Sequence, residues 1–120
     1  MSTHDAAVIA RAYHHAWTTK DFAGAAALLA PTLVVEVPVN HYPTAESFAA
    51  ALASFGSMVT EVDLLAALST DHEAMLLYDL DVDRLGTLRV AEHFTTGGGK
   101  ITRIRQIHDT AAVRAAGLAG

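Results

Sequence analysis

The sequence contains no cysteine in 120 residues, which excludes disulfides and thiolate chemistry. Cations are also scarce, with 8 lysines and arginines against 13 aspartates and glutamates, and the formal net charge is -5. A nucleic-acid partner requires clustered cations against its phosphates, so this balance argues against one. No apolar run approaches the roughly 20 residues of a membrane-spanning helix, and the N-terminus lacks the basic start and apolar block of a signal peptide. We therefore expect no membrane association and a cytoplasmic location.

Apolar residues are what the sequence has in abundance. They make up 52% of the chain, while charged residues make up 18%, and this composition is typical of a globular domain rather than a disordered chain. The length suits one domain with a substantial core. We expect a single domain over 1–120, with its core at about 5–110 and a short C-terminal tail at 111–120.

The order of periodic segments predicts helices first and strands afterwards. Helical spacing indicates a first helix that carries Tyr13 and Trp17, a second over 21–29 that Pro31 ends, and a third over 44–55. The β-branched and alternating segments predict strands at 33–39, 58–68, 72–83, 86–96 and 100–109. Glycines at 97–99 supply the last turn. This is an α+β arrangement with helices on one face of a sheet.

Glu92 is the most informative residue in this pattern. Along 86–96 the even positions include the apolar residues Leu88, Val90 and Phe94 and the exception Glu92, whereas the odd positions are mostly polar. Because side chains alternate across a strand, Glu92 is expected on the core-facing side of the sheet. Burial raises the pKa of a carboxyl group and favours its neutral form. Glu92 is therefore a candidate acid, base or oxyanion stabiliser; the alternative is a structural carboxyl group satisfied by a tyrosine or an amide.

A resemblance to a known family is carried by the element order, by Tyr13 on the first helix, by the segment EVP at 36–38 and by RVAEHFTTGGGKITRIRQIHD at 89–109. The sequence resembles the SnoaL-like branch of the nuclear transport factor 2-like superfamily. The resemblance covers about residues 5–110. It implies a cystatin-like α+β cone, in which a curved antiparallel sheet wraps around the N-terminal helices and a small-molecule pocket opens at the cone mouth. It also implies a homodimer through the outer sheet face, where Met75, Asp79, His93 and Ile107 are expected.

The same resemblance suggests roles for single residues and removes others. Tyr13 falls where ketosteroid isomerase has its oxyanion-hole tyrosine, and Glu92 falls at its protonated aspartate. The general-base aspartate of that enzyme is replaced here by Val37, so steroid isomerisation as such is not expected. Gln106 stands where the epoxide hydrolases have an aspartate on the last strand. Each named relative therefore has a catalytic group that this chain lacks.

Strand pairing predicts the neighbours of Glu92. With a turn centred on the three glycines, Glu92 faces Ile104 and lies diagonal to Gln106. His108 then faces residue 88, about 13 Å along the sheet from Glu92, so the two would flank a bound molecule rather than form a dyad. Tyr78 is opposite or diagonal to Glu92, and its hydroxyl group is a plausible partner. His108 could equally be a hydrogen-bonded wall residue near the strand end.

We predict a cofactor-independent enzyme that uses acid–base chemistry on a small apolar molecule with a carbonyl or hydroxyl group, of the isomerase, cyclase, hydratase or hydrolase type. The predicted catalytic residues are Glu92, His108 and Tyr13, and the predicted substrate contacts are Trp17, Tyr78, Gln106, His41, Asn40 and Val37. No metal or cofactor is predicted. Two alternatives stay open: a ligand-binding protein without turnover, and an interaction domain whose cone is plugged by Trp17, Phe22, Phe48 and Phe55.

Overall fold

A computed structural model describes residues 5–117 of the chain. Within this range the elements follow the order α1 (Ala6–Thr18), α2 (Phe22–Ala27), β1 (Leu29–Glu36), α3 (Ala45–Gly56), β2 (Val59–Ser69), β3 (Glu73–Val82), β4 (Gly86–Gly97), β5 (Lys100–His108) and α4 (Ala111–Ala115). Three helices therefore precede the long strands, and a short helix follows them. No helix in this range is long and apolar enough to cross a membrane.

The five strands form one curved, unclosed sheet in the order β1-β5-β4-β3-β2. The strands from β2 to β5 pair antiparallel as a meander, whereas β1 lies parallel to β5 at one edge. Irregularities in the β2–β3 and β4–β5 registers are β-bulges, and bulges bend a strand and increase its twist. The predicted α+β class, with a curved sheet and N-terminal helices, is confirmed, and the parallel edge strand refines it.

The first strand differs most from the sequence prediction. The second helix ends at Ala27 rather than Leu29, and β1 begins four residues earlier than predicted and ends at Glu36. Pro31 therefore lies inside a strand instead of ending a helix. An edge strand tolerates proline because one side of it needs no ladder hydrogen bond. The tail forms α4, while residues 118–120 lie outside the described residues.

The turn between β4 and β5 is shorter than predicted, and this changes the register. Gly97 pairs with Lys100, so only Gly98 and Gly99 form the turn. Their φ angles of 60° and 79° suit a two-residue type I′ turn. A bulge after this turn shifts the register once more, so Glu92 faces Gln106 directly instead of Ile104. The prediction that Gln106 is only diagonal to Glu92 is therefore wrong by two residues along β5.

The core lies between α1 and the inner face of the sheet. Burial alternates along β3 and β4 as predicted, with the even positions buried and the odd positions more exposed. Tyr13 and Phe94 are fully buried and pack edge to face with ring centroids 5.6 Å apart. At the other end of this core α3 approaches α2 closely, since a Cβ atom on Gly56 would lie 2.6 Å from the Phe22 ring. Only glycine fits there without movement of Phe22.

Candidate functional site

A cavity of about 270 Å³ opens between the inner face of the sheet and α3. Its sheet wall consists of Tyr78, Leu80, Leu88, Val90, Glu92, Gln106 and His108. Its opposite wall consists mainly of Trp17, Phe48, Ala51, Leu52, Ser54, Phe55 and Met58, and its rim of Val37, Pro38, Asn40, Tyr42 and Val113. The volume lies near the lower limit of small-molecule sites. The walls are largely apolar, and the polar groups are few.

Glu92 lies at the polar end of this cavity. β4 directs its side chain inward, where it is 1% exposed. Tyr78 Oη donates a hydrogen bond to Glu92 Oε1 at 2.9 Å, and Gln106 Nε2 donates to Oε2 at 2.7 Å. Tyr78 reaches Glu92 diagonally, since Tyr78 itself pairs with Val90. The two strands that flank β4 therefore each supply one neutral donor to the carboxyl group.

The pKa of Glu92 is raised from its ordinary value of 4.5 to about 7. Burial is the dominant cause, because a low-dielectric environment disfavours the charged form. The hydrogen bonds from Gln106 and Tyr78 act in the opposite direction and lower the pKa. No lysine or arginine lies among the cavity-lining residues of the described chain. Near neutral pH this carboxyl group is therefore present in both protonation states.

His108 lies closer to Glu92 than the predicted strand pairing implied. It faces Val90 rather than residue 88, so its position is two residues from that opposite Glu92, about 7 Å along the strand. The predicted separation of about 13 Å is wrong because of the two-residue turn and the bulge. The Nδ1 atom of His108 lies 3.0 Å from the carbonyl oxygen of Asp109. A carbonyl oxygen only accepts, so Nδ1 carries the hydrogen and Nε2 is the basic nitrogen.

Aromatic side chains surround the apolar part of the cavity. The rings of Trp17 and Tyr78 lie 6.1 Å apart, and those of Tyr42 and Phe48 lie 5.7 Å apart in an edge arrangement. His14 packs behind Tyr78 with a centroid distance of 4.8 Å. Burial lowers the pKa of His14 from 6.5 to about 4, and the neighbouring Arg11 and His15 lower it further. His14 is therefore neutral at pH 7 and acts as an aromatic support.

Two predicted site residues do not line the cavity in the described structure. Tyr13 is completely buried between α1 and the inner face of the sheet, and its hydroxyl group has no hydrogen-bond partner within residues 5–117. Burial and the nearby Glu92 raise the pKa of Tyr13 well above its ordinary value. His41 is exposed in the loop after β1. The structure therefore brings together Glu92, His108, Tyr78, Gln106, Trp17, Asn40 and Val37, but not these two residues.

The loop after β1 forms part of the rim through an unusual backbone turn. Asn40 N donates to the carbonyl oxygen of Pro38 at 2.8 Å, and Val39 between them has a φ of 64°. This is a γ-turn with a left-handed central residue, which is strained for a β-branched side chain. Both flanking residues line the cavity. The turn thus holds Pro38 and Asn40 at the rim.

Several wall residues were absent from the predicted site. Phe48 and Phe55 entered only the alternative of a plugged cone, and the structure places them in the cavity wall. Their signal was the spacing of Phe48, Leu52 and Phe55 on α3, which marks one helix face. Val113 of the tail also lines the cavity, and no pattern in the sequence indicated this contact. Phe22 packs against Gly56 instead.

The outer face of the sheet has a different electrostatic character. Asp79 receives two hydrogen bonds from Arg89, at 2.7 and 2.9 Å. Those hydrogen bonds and the positive charge hold the pKa of Asp79 below its ordinary value. Glu61, Asp63 and Asp81 lie beside Asp79. Within residues 5–117, no group of three histidine, aspartate or glutamate side chains is arranged to hold a metal ion.

The fold and the site together define a small α+β cone protein with one buried carboxyl group facing an apolar cavity. The sequence profile of the SnoaL-like domain family matches residues 10–104 of this chain. The chain therefore belongs to the SnoaL-like domain family. Among curated protein sequences, no match to this chain was found.

Solved structures agree with this assignment. A crystal structure from Kribbella flavida DSM 17836 is similar, with 32% identity, a TM-score of 0.89 and coverage of 98% of this chain and 97% of that one. A steroid delta-isomerase from Pseudomonas aeruginosa gives 18% identity and a TM-score of 0.79, with 98% and 88% covered. An LEH-like epoxide hydrolase from M. tuberculosis gives 21% identity and a TM-score of 0.73, with coverage of 92% of this chain and 87% of that one. At these identities the two enzymes share the fold alone with this chain.

Proposed function

We propose that this protein is a cofactor-independent enzyme that transfers protons on a small, largely apolar molecule with a carbonyl or hydroxyl group. The observation that carries the proposal is the carboxyl group of Glu92, which is buried without a countercharge and faces a cavity of about 270 Å³. Burial of a carboxyl group without a cation costs folding free energy and is rare, which favours a functional reason for its presence. Its pKa of about 7 suits an acid or a base at neutral pH.

His108 is proposed as the second proton carrier. Its hydrogen bond to the Asp109 carbonyl leaves Nε2 as a basic nitrogen, and its position about 7 Å along the strand from that of Glu92 leaves space for a reacting group between them. Isomerisation, cyclisation, hydration and hydrolysis each need a proton removed at one atom and delivered at another. Tyr78 and Gln106 hold Glu92 in place for this exchange.

Two structural neighbours are enzymes of the reaction types proposed here. One is a steroid delta-isomerase and the other is an epoxide hydrolase. The isomerase aspartate is replaced by Val37, and the hydrolase aspartate by Gln106, so neither mechanism transfers unchanged. The proposal therefore assigns the proton transfers to Glu92 and His108, with Tyr13 as a buried neighbour outside the cavity.

A substrate panel combined with paired variants tests the proposal. Small cyclic enones, epoxides and hydroxyketones are incubated with the protein, and conversion is followed by absorbance and gas chromatography. For any converted compound, Glu92→Gln should lower kcat about 100-fold or more, the usual scale of general acid–base catalysis. His108→Gln should give a smaller loss, and Asp79→Asn on the outer face is the matched control. Unchanged turnover in Glu92→Gln would contradict the assignment.

A second candidate function is ligand binding without turnover. The observation that favours it is that both oxygens of Glu92 already accept hydrogen bonds from the protein, as expected of a structural carboxyl group. A bound compound recovered unmodified after long incubation would support this function over catalysis. The plugged interaction domain is not favoured, because the cavity volume of about 270 Å³ exceeds the roughly 100 Å³ expected of a filled cone.

Three further expectations stay predictions: one domain over 1–120, a cytoplasmic location, and a homodimer through the outer sheet face. The last is supported by exposed apolar side chains on that face, since Met75 and Ile107 are 42% and 74% exposed. They lie among charged residues, which suits a two-fold contact with complementary charges. A monomeric mass by light scattering at micromolar concentration would contradict the dimer.

A further inference from the structure

The charge that the cavity can carry is negative in sign. Glu92 is the sole acidic residue among its lining residues within 5–117, and none of them is lysine or arginine. The arginines of the sheet lie on the other face, where Arg89 pairs with Asp79 and Arg105 pairs with Glu36. An anion that enters this cavity would therefore meet no cation and would face the Glu92 carboxylate in a low-dielectric environment. The cavity is electrostatically suited to neutral or positively charged guests.

The aromatic walls favour a positive charge over a neutral group. Five rings line the cavity: Trp17, Tyr42, Phe48, Phe55 and Tyr78. Aromatic faces attract cations, and the attraction strengthens when the cation is desolvated. A pocket that combines several rings with one carboxylate is the arrangement that recognises an organic ammonium ion.

Glu92 retains the capacity to accept such a donor. A carboxylate has about four acceptor positions on its two oxygens, and Tyr78 and Gln106 each occupy one. These two donors also stabilise the anionic form, in which Glu92 attracts a cation. Further acceptor positions are available for an N–H group of a guest in the cavity.

We propose that this cavity binds a compact organic ammonium ion, with the N–H groups on the Glu92 carboxylate and the hydrocarbon body among the aromatic rings, and that it rejects carboxylates of the same shape. This selection by charge goes beyond the proposed enzyme function and does not require turnover. It names a class of ligand by the groups that would recognise it.

The pH dependence follows from the groups that face Glu92 on each packed element. Tyr78 from β3 and Tyr13 from α1 stay neutral because burial raises the pKa of each well above its ordinary value. His14, which packs behind Tyr78, stays neutral above about pH 4. His108 on β5 also lines the cavity, and Glu92 itself gains its negative charge as pH rises through about 7. Ammonium binding should therefore strengthen as pH rises.

Three isosteric probes test the proposal by calorimetry on the full chain: cyclohexylmethylamine, cyclohexylmethanol and cyclohexanecarboxylate. At pH 8.5 the primary amine is still mainly protonated, and we expect it to bind at least about 10-fold tighter than the alcohol, with no detectable binding of the carboxylate. Between pH 8.5 and pH 6 the amine affinity should fall about 10-fold or more as Glu92 is protonated. The alcohol affinity should change little.

Variants test whether Glu92 causes the preference for the amine over the alcohol. Glu92→Gln should remove the preference for the amine over the alcohol while the alcohol still binds, and Asp79→Asn should leave it intact. His108→Gln should preserve most of the pH dependence. The proposal is overturned if the carboxylate binds as tightly as the amine, if the preference persists in Glu92→Gln, or if no probe binds at 10 mM, roughly the limit of a weak fragment. Should Glu92→Gln not fold, the pH dependence in the unmodified chain decides alone.

These results are independent of the proposed enzyme function. Loss of turnover in Glu92→Gln without any preference for the amine would overturn the charge selection and leave the enzyme proposal intact. A preference for the amine with no conversion of any panel compound would do the reverse.

Discussion

Glu92 and Asp79 lie on neighbouring strands of the same sheet, but their surroundings differ in every respect that controls a carboxyl group. Asp79 faces outward and receives two hydrogen bonds from Arg89, so its pKa is lowered. Glu92 faces inward and receives one hydrogen bond each from Tyr78 and Gln106, so no positive charge offsets its burial. Strand alternation alone separates the two environments.

This difference in surroundings determines which of the two acidic residues can change its protonation state near neutral pH. Asp79 stays ionised throughout the neutral range, because its partner is a permanent cation. Glu92 has a pKa of about 7, so small changes in its surroundings or in a bound guest shift its charge. The same contrast appears on α1, where His14 is buried and neutral while the adjacent His15 is exposed. In both pairs the inner member faces or supports the cavity.

The largest predicted effect concerns the pH dependence of stability in Glu92→Gln. The pKa of Glu92 is about 7 in the fold and 4.5 ordinarily, so ionisation favours the unfolded chain and stability is lost as pH rises from 4.5 to 7. This loss amounts to about 2–3 kcal/mol between pH 5 and pH 8. Urea unfolding of the variant should lack it, so the variant gains stability relative to the original chain at pH 8.

Asp79→Asn is the matched control for this measurement. Because the pKa of Asp79 is lowered, its contribution to stability is present above its ordinary pKa and disappears only in more acidic solution. Asp79→Asn should therefore leave the slope between pH 5 and pH 8 unchanged. If the unfolding free energies of Glu92→Gln and the original chain changed equally with pH, Glu92 would be ionised in the fold. That result would contradict the contrast between Glu92 and Asp79.

A slightly smaller effect of opposite sign is expected from His14→Leu. The pKa of His14 falls from 6.5 to about 4 on folding, so protons bind the unfolded chain preferentially and stability is lost as pH falls from 6.5 to 4. Between pH 7 and pH 5 this loss is about 2 kcal/mol, and the variant should not show it. His41→Leu, in the exposed loop after β1, is the control.

These two slopes oppose each other in the original chain. Glu92 costs stability towards alkaline pH, while His14 costs stability towards acidic pH, and both effects overlap between pH 5 and pH 7. We therefore expect a nearly flat stability profile in this range, with the two single variants tilting in opposite directions. A steep profile in the original chain would contradict one of the two pKa shifts.

Most of the architecture followed from local patterns in the sequence. Alternation along 72–83 and 86–96 identified the inner face correctly, because period two is a property of each strand by itself. The capping box at Thr44 and Ser47 and the two turn glycines likewise act over a few residues. The parallel pairing of β1 with β5 was not predictable in this way, since it joins segments far apart in the chain.

The site was predictable only in part, for a related reason. Parity placed Glu92 inward and Tyr78 beside it, but the bulge that sets Gln106 opposite Glu92 leaves no mark in the hydrophobic pattern. The position of Tyr13 depends on how α1 rotates against the sheet, which is decided by packing over the whole core. Whether Phe48 and Phe55 fill the cone or line it also depends on how far α3 stands from the sheet.

The smallest effect, and the most direct test of the inner site, is Tyr78→Phe compared with Thr87→Val. Each variant removes one hydroxyl group that donates a hydrogen bond to a carboxyl group. Tyr78 donates to Glu92 at 2.9 Å on the inner face of the sheet, and Thr87 donates to Asp81 at 2.7 Å on the outer face. Inside, the carboxylate cannot recruit water, so Tyr78→Phe should cost about 1–2 kcal/mol at pH 8. At pH 5 the cost should be smaller, because Glu92 is then protonated and needs fewer donors.

The pKa of Glu92, measured by NMR from the chemical shift of its carboxyl carbon, tests the cause of the stability loss in Tyr78→Phe. Since the hydrogen bond from Tyr78 lowers the pKa of Glu92, its removal should move this pKa upward from about 7. Outside, water replaces the Thr87 hydroxyl, and Thr87→Val should change neither unfolding nor titration measurably. A Glu92 pKa that stays constant in Tyr78→Phe would mean that Tyr78 does not donate to the carboxylate. Gln106 would then be the only neutral donor holding Glu92 in the described site.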